Sequence, residues 1–389
     1  MTLKGDQSTT RALNRRLILN CLRREGGLSR VEISAMTGLS PAAVTGVTAE
    51  LINEGMLVEG KGMQSTGGRK PIPLNIDYRQ HWSAGFKLTP DGVEGTLTDL
   101  STQPIGTCKV PLSSYDPATV AAAVENGVAT LLQMQNSNWN KLVGIGVAMP
   151  GLIDVNRGLC LEFHDFGWDH VPIAELIAAR ISVPVWVDND VNAFAIAQQL
   201  FGYGRTRGSA LVLVISAGVG AALIFNGQIH RGARFAAGEI GFLRHDKGNW
   251  VTSDRLSWNQ RLSEPGIIRG WQELRGKGPG NDLQEAAANG DPLAVVYLGK
   301  VGREIGERLV SMIDLVDPEV VIVGGEAVRF GKALIDPLAR AVKENSFGTP
   351  PPLEVDWDND VWLRGASALA IQKFFDFESA AGYQRKLVG

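Results

Sequence analysis

The stretch "VWVDNDVNAFA" (residues 185–195) decides the fold of the larger part of this chain. Val185, Trp186 and Val187 form a short β-type apolar run that stops at three polar residues, Asp188, Asn189 and Asp190. A helical pattern begins directly afterwards. A strand ending in polar groups at the start of a helix is the repeating unit of α/β proteins, which place ligand groups at the carboxyl ends of strands.

The pattern repeats outward from this junction. Upstream stand a β-rich meander over residues 82–112, a helical stretch over 117–135, the apolar run "LVGIGVAMPG" (142–151) and a helix over 173–180. Downstream come a helix over 192–200, the strand set "ALVLVISAGVGAALIFNGQI" (210–229) and "PEVVIVGGEAV" (318–328), an apolar strand entering a Gly turn. Alternating strands and helices predict an α/β body from Trp82 onward.

The 389 residues have room for two or three domains, and 44% hydrophobic against 20% charged residues is an ordinary globular balance. No apolar stretch approaches the ~20 residues of a membrane span, and the first sixteen residues lack the apolar core of a signal peptide. Cys21, Cys108 and Cys160 are isolated and odd in number. They read as reduced thiols of a cytoplasmic protein. Charge is divided unevenly. Residues 1–75 hold ten Lys/Arg against six Asp/Glu, a balance of +4, and the remainder holds 28 against 35, a balance of −7. A basic head on an acidic body implies a polyanionic partner for the head.

That head has its own organisation. "TTRALNRRLILNCLRREGG" (9–27) spaces Leu13, Leu17, Cys21 and Leu22 as one apolar helix face, with Leu19 nearby and Arg on the other sides. In "LSRVEISAMTGLSPAAVTGVTAELINEGML" (28–57), Ser29 and Glu32 form a capping box and Gly38 ends a short helix. Ser40 and Pro41 then supply an N-cap and a first-turn proline for the next helix. Helix, Gly turn, N-capped second helix is the helix-turn-helix pattern, whose second helix enters the DNA major groove. Ala42, Ala43, Thr45 and Gly46 are small enough for close approach, and Ser40 and Thr45 carry hydroxyls for phosphate or base edges. Two short strands near residues 57–59 and 72–75, joined by a Gly-rich tip with Arg69 and Lys70, predict a basic wing.

The body resembles the ROK family of repressors, open reading frames and sugar kinases. The resemblance rests on "GIGVAMPGLID" (144–154), "VDNDVNAFA" (187–195), "SAGVGAALIFNGQIHRG" (216–232), "AAGEIGF" (236–242) and "DPEVVIVGGEA" (317–327). It covers roughly residues 82–375, and the helix-turn-helix before it is similar to the family's regulator branch. The resemblance implies an α/β fold: a winged helix-turn-helix domain over 1–77 and an actin-like (ribonuclease-H-like) two-lobed body of the sugar-kinase type. Its first lobe would span 78–190, with a C-terminal helix over 361–380 returning to it, and its second lobe 191–360.

Departures from the family pattern bear on function. Where the family's kinases end their first body strand in D-x-G-G-T, this chain has "GFKLTPD" (85–91), with Lys87 in place of the acid. Pro90 removes a backbone donor and Asp91 repels phosphate, so no phosphate cradle is expected. The second phosphate turn reads "SAGVG" (216–220) and is partly intact. The family's zinc site uses a His and a cysteine run. Here Phe242 replaces the His, no cysteine follows, and His245 has no ligand partners at useful spacing, so neither metal nor cofactor is expected. Sugar handles persist: Asn189 and Asp190 match the family's sugar-contacting pair, Glu239 matches its acidic sugar ligand, and Trp168 offers an apolar wall. Asp188 is read as a local cap or as a group that supports the ligand-contacting residues.

The resemblance therefore implies a sugar-responsive transcriptional regulator, a repressor without catalytic residues. Its partners would be a double-stranded DNA operator and a small sugar effector, and it would form a homodimer or homotetramer. The alternatives are an ATP-dependent sugar kinase with a fused DNA-binding head, in which Asp190 would be the general base, and a DNA-binding protein whose body only oligomerises.

Overall fold

The computed structural model describes residues 7–60, 72–89, 91–243, 257–275, 282–358 and 361–376. The head begins with α1 (Gln7–Glu25), α2 (Arg30–Thr37) and α3 (Pro41–Asn53), followed by β1 (Leu57–Glu59) and β2 (Leu74–Ile76). The Ser29–Glu32 capping box is present in both directions, and Gly38 closes α2 at φ 72°. The Ser29 amide and hydroxyl both donate to Glu32, which holds its carboxyl below the usual range. Ser40 caps α3 through the Ala43 N–H, with Pro41 in the first turn. β1 and β2 pair antiparallel, Leu57 opposite Ile76. The second strand thus starts two residues later than its expected place. The wing tip, with Arg69 and Lys70, lies outside the described residues.

The apolar face of α1 is only partly the expected one, with Leu22 and Leu19 buried and Cys21 half-buried as expected. Leu13 and Leu17 are 53% and 38% exposed, whereas Ala12, Ile18, Leu19 and Leu22 are buried. They pack in the head with Ile33 of α2 and Val44, Val47 and Leu51 of α3, all buried. Two apolar stripes overlap on this helix, and only the partner surface selects one.

The chain continues through β3 (Trp82–Thr89), β4 (Gly92–Asp99), β5 (Pro104–Pro111), α4 (Pro117–Met134), β6 (Leu142–Met149), β7 (Leu152–Asp154), β8 (Leu159–Phe163), β9 (Trp168–Val171), α5 (Ile173–Ala178), β10 (Val185–Asn189) and α6 (Asp190–Phe201). The main sheet runs β10-β6-β3-β4-β5. β3, β4 and β5 form the antiparallel meander, and β6 and β10 add in parallel. Its strands pack against α4 and α5 through Phe86, Val124, Leu131, Val147 and Ile177, each buried. β7, β8 and β9 make a smaller antiparallel sheet.

Next come β11 (Ala210–Ile215), β12 (Val219–Phe225), β13 (Gln228–His230), α7 (Trp258–Arg261), α8 (Glu264–Arg275), α9 (Leu283–Ala288), α10 (Pro292–Val316), β14 (Val321–Gly324), α11 (Lys332–Asn345) and β15 (Leu353–Val355). Their sheet runs β13-β12-β11-β14-β15, again an antiparallel meander extended by two parallel strands. In chain order both five-stranded sheets read third-second-first-fourth-fifth, so one topology occurs twice. α10 and α11 approach closely because Gly302 and Gly306 face the Leu334 and Leu338 carbonyls, where a Cβ would collide.

The last helix, α12 (Val361–Asp376), packs on the first sheet. A Cβ on Gly85 of β3 would strike the Ser367 backbone, and one on Gly146 of β6 would strike the Ala366 carbonyl. Ser83 donates its hydroxyl to the Ser367 carbonyl at 3.0 Å. Compact units accordingly divide as Met1–Ala193 with Trp362–Gly389, and Phe194–Val361. The head groups with the first sheet, and both divisions differ by a few residues from the boundaries read in the sequence. No described helix is long and apolar enough to cross a membrane.

Candidate functional site

Among the described residues, those singled out in the sequence fall into groups. The first is the outer face of α3. Val44, Val47 and Thr48 point into the head, Ala43 is half-buried, and Pro41, Ala42, Thr45, Gly46 and Ala49 are exposed. The hydroxyls are partly committed. Ser40 Oγ accepts the Ala43 N–H at 3.2 Å, and Thr45 donates its hydroxyl to the Pro41 carbonyl at 2.8 Å. What α3 turns outward is therefore mostly methyl groups and bare backbone.

Cations beside α3 are committed too. Arg11 pairs with Glu50, its Nε 2.9 Å from Oε2. Arg15 grips Glu54 through two bonds of 2.9 and 2.6 Å, which hold the Glu54 carboxyl below its usual range. Arg30 bonds Glu59 at 3.1 Å and Thr48 Oγ1 at 3.1 Å. Exposed pairs of this kind contribute little stability, about 0–1 kcal/mol each. They orient arginines whose charge the sequence count had treated as available.

The second group surrounds the end of β10. Asp188 is 2% exposed, and its Oδ1 accepts the Asn189 amide at 2.8 Å and Asn192 Nδ2 at 3.3 Å. It is the local buttress that the sequence suggested. Asn189 is a bracket: Oδ1 accepts the Val191 and Asn192 N–H groups at 2.9 and 3.3 Å, and Nδ2 donates to the Gly151 carbonyl at 3.1 Å. One amide thus satisfies first-turn donors of α6 and ties them to the "PG" turn after β6. Gly151 itself holds φ 101°, where a Cβ would strike the Glu162 carbonyl. Asp190 is half-buried and accepts the Val191 N–H at 2.9 Å.

Trp168 does not offer the open wall expected of it. It is 4% exposed, its indole N–H donates to the Tyr115 carbonyl at 2.7 Å, and Phe163 and Phe166 meet it edge-on. Its surface is spent on packing.

Glu239, in the second unit, is half-buried at the head of a single 3-10 turn, Ile240–Phe242. Gly238 fastens this loop to β12: its carbonyl accepts the Ala221 N–H at 2.9 Å, and at φ 92° a Cβ would strike the Ala221 carbonyl. Asn259 Oδ1 accepts the Val219 N–H at 2.7 Å and faces Gly241. No sequence signal marked Asn259. Phe242, where the family's metal-binding His would stand, is 65% exposed. Among the described residues no three His, Cys, Asp or Glu side chains converge on a metal position. His245 lies outside those residues.

At the end of β3, Lys87 places its ammonium 3.9 Å from the ring centroid of Trp362, the second residue of α12. Pro90 lies outside the described residues. At the "SAGVG" turn, the Ser216 N–H donates to the Gly218 carbonyl at 2.7 Å, and the Glu264 N–H donates to the Ser216 carbonyl at 2.9 Å. Burial pushes the Glu264 carboxyl above its usual range; Arg329, 2.7 Å away, opposes this and Glu326 adds to it. Trp362, Glu264 and Arg329 were invisible to sequence reasoning because nothing local announces their distant partners.

Comparison with known proteins accords with this geometry. A model of the ROK family matches residues 91–373, and a model of winged helix-turn-helix DNA-binding domains matches residues 11–58. The N-acetylglucosamine repressor of Escherichia coli O157:H7 is 25% identical over 355 residues, covering 88% of this chain and 87% of that one. The xylose repressor of Bacillus subtilis (strain 168) is 25% identical over 346 residues, covering 88% and 90%. A crystal structure of a ROK family transcriptional regulator, homolog of the E. coli MLC protein, aligns with TM-score 0.78 at 21% identity, covering 94% and 97%. A ROK family glucokinase from Streptomyces griseus, solved with glucose and AMPPNP, aligns with TM-score 0.64 at 22% identity over 75% of this chain. The fold is thus a winged helix-turn-helix head on an actin-like, sugar-kinase-type body.

Proposed function

Because this chain belongs to the ROK family, we propose that it is a sugar-responsive, DNA-binding transcriptional regulator, a repressor of carbohydrate uptake or catabolism genes that acts in the cytoplasm. Its winged head takes the operator, with α3 in the major groove and the residues around Arg69 and Lys70 on the backbone or minor groove. Its body takes a sugar or sugar derivative and is not an enzyme. Asn189, Asp190 and Glu239 are the proposed sugar ligands: a carboxylate accepts hydrogen bonds from sugar hydroxyls, an amide both accepts and donates, and a ligand that leaves such groups unpaired is penalised.

One observation carries the non-catalytic reading. Lys87 stands against Trp362, where the kinases of the family place the acid that handles metal-bound phosphate. A carboxylate there would gather a divalent cation; an ammonium held on an indole face repels one. Without phosphoryl transfer Asp190 has no proton to remove for catalysis, and its carboxylate serves to hold the ligand.

Regulation requires only that sugar and operator affinities be linked. A coupling of ~1–3 kcal/mol changes operator affinity about 5–150-fold, and operator must then change sugar affinity equally. We further propose a homodimer or tetramer, since two heads reading a palindrome need half-sites about 34–36 Å apart or a multiple of that.

The test is to incubate the full chain with fragmented DNA of its source genome at near-physiological salt and to sequence what it retains. A palindromic site beside sugar-uptake genes supports the regulator and nominates the sugar. Retention that only fades with rising salt, without a site, would mean that the head binds by charge alone. Sugar-dependent ADP release that vanishes in Asp190→Asn would replace the regulator with a kinase.

A further inference from the structure

Gly46 lies in the middle of α3, on its exposed face, and nothing among the described residues explains it. A Cβ built there meets none of their atoms within 4 Å, and the backbone does not enter the left-handed region that favours glycine. Glycine within a helix is less stable than alanine because it loses more backbone freedom on folding. An alanine would therefore fit and help the fold of the isolated protein. No described residue requires the methyl group to be missing.

Around Gly46 the same face carries Ala42, Thr45 and Ala49, all exposed. The first twelve residues of α3, 41–52, contain no Lys, Arg, Asn or Gln, and Asn53 stands exposed only at its C-terminal end, so the part of the helix around Gly46 lacks the side chains that grip guanine or adenine through two hydrogen bonds. Arg11, Arg15 and Arg30 beside it bond to Glu50, Glu54 and Glu59. Thr45 spends its hydroxyl proton on the Pro41 carbonyl, which leaves its γ-methyl and an acceptor lone pair for an external partner. The matching chemistry on DNA is the 5-methyl group of thymine, which alanine and the threonine methyl contact.

Resting on the reading of α3 as the recognition helix, we infer that this protein reads its half-site chiefly through thymine methyl groups, with Gly46 as the specificity-determining position. The absence of a Cβ at Gly46 lets the α3 backbone approach the base edges closely enough for Ala42, Thr45 and Ala49 to pack on those methyls. The operator class is thus a thymine-rich half-site recognised by shape and apolar contact, and phosphate contacts from elsewhere in the head set its register.

The experiment selects binding sites for the full-length protein from a randomised duplex pool, then measures affinity for the enriched duplex. Replacing each conserved thymine by deoxyuridine, which lacks only the methyl, weakens binding at the positions that α3 faces. The expected loss is about fourfold per position, the worth of one buried methylene. Replacing guanines by 7-deazaguanine leaves affinity unchanged. Gly46→Ala melts no lower than wild type yet loses on the order of tenfold in affinity for the same duplex. A deoxyuridine-insensitive site, a site sensitive to 7-deazaguanine, or Gly46→Ala binding as wild type overturns the inference while leaving the regulator intact. Selection that enriches no site removes the reading of the head itself, and this inference with it.

Discussion

Lys87 and Trp362 are bound face to cation: the ammonium lies 3.9 Å from the indole centroid and joins the end of β3 to the start of α12. The pair holds the C-terminal helix on the sheet where Gly85 and Gly146 have cleared space for its backbone. Lys87→Met keeps the stem and removes the charge. It should lower unfolding free energy by about 0.5–2 kcal/mol, read from urea melts of both proteins. Lys87→Asp should lose more, since a carboxylate is repelled by the π face, and should show no sugar-dependent ADP release.

Asn189 does three structural jobs with one amide, accepting two N–H groups of α6 and donating to the Gly151 carbonyl. Asn189→Ala should therefore cost about 1–2 kcal/mol of stability as well as sugar affinity. Asn189→Asp restores the acceptor but not the donor to Gly151, so its thermal midpoint should lie between alanine and wild type. Equal midpoints for alanine and wild type would show that the bracket carries no load.

Glu239 sits on a loop fixed by Gly238 and Asn259. Glu239→Gln keeps the side chain's size and removes its charge, and should weaken sugar binding tenfold or more, measured by calorimetry across a panel of hexoses, pentoses and amino sugars. A body that binds none of these sugars in either form would leave oligomerisation as its only role.

Where the head meets the first sheet, Asn20 Nδ2 donates to the Phe375 carbonyl at 3.3 Å and His81 lies 5.9 Å from Phe374, ring to ring. Burial lowers the His81 pKa from its usual 6.5, and the Glu54 carboxylate, itself held by Arg15, opposes this. The folded state thus binds the proton less tightly than the unfolded chain. Stability from this group is complete above about pH 6.5 and falls as pH drops through that value toward the lowered one. Wild type should lose more melting temperature between pH 7.5 and pH 5.5 than His81→Gln; parallel curves would exclude His81 as the cause. Glu54, depressed below 4.5, acts at lower pH and separates from it.

Buried Cys160, 0% exposed, has its thiol pushed up to about 12 by desolvation. It should resist iodoacetamide at pH 8 in the native state and react once urea unfolds the chain, as mass spectrometry of the alkylated peptides will show.

Much of this was legible in the chain because it is local. A capping box, a Gly at a helix end, a Ser-Pro helix start and a β-type run ending in polar residues each depend on a few neighbours, so the helix-turn-helix of the head and the strand-helix order of the body could be read directly. The family motifs also marked Asn189, Asp190 and Glu239. Other outcomes depended on surfaces far away in sequence. Ala12, Ile18, Leu19 and Leu22, not Leu13 and Leu17, became the buried face of α1, because two stripes of similar hydrophobicity compete and the packed partner chooses. Trp168 became framework because Tyr115 and Phe166 enclose it. Lys87 lost an acid's role and gained Trp362, and Asn189 became a bracket once Gly151 was placed beside it. Periodicity specifies an element; only the pairing of distant elements specifies which of its faces is used, since burial and hydrogen-bond partners exist only after the chain has closed on itself.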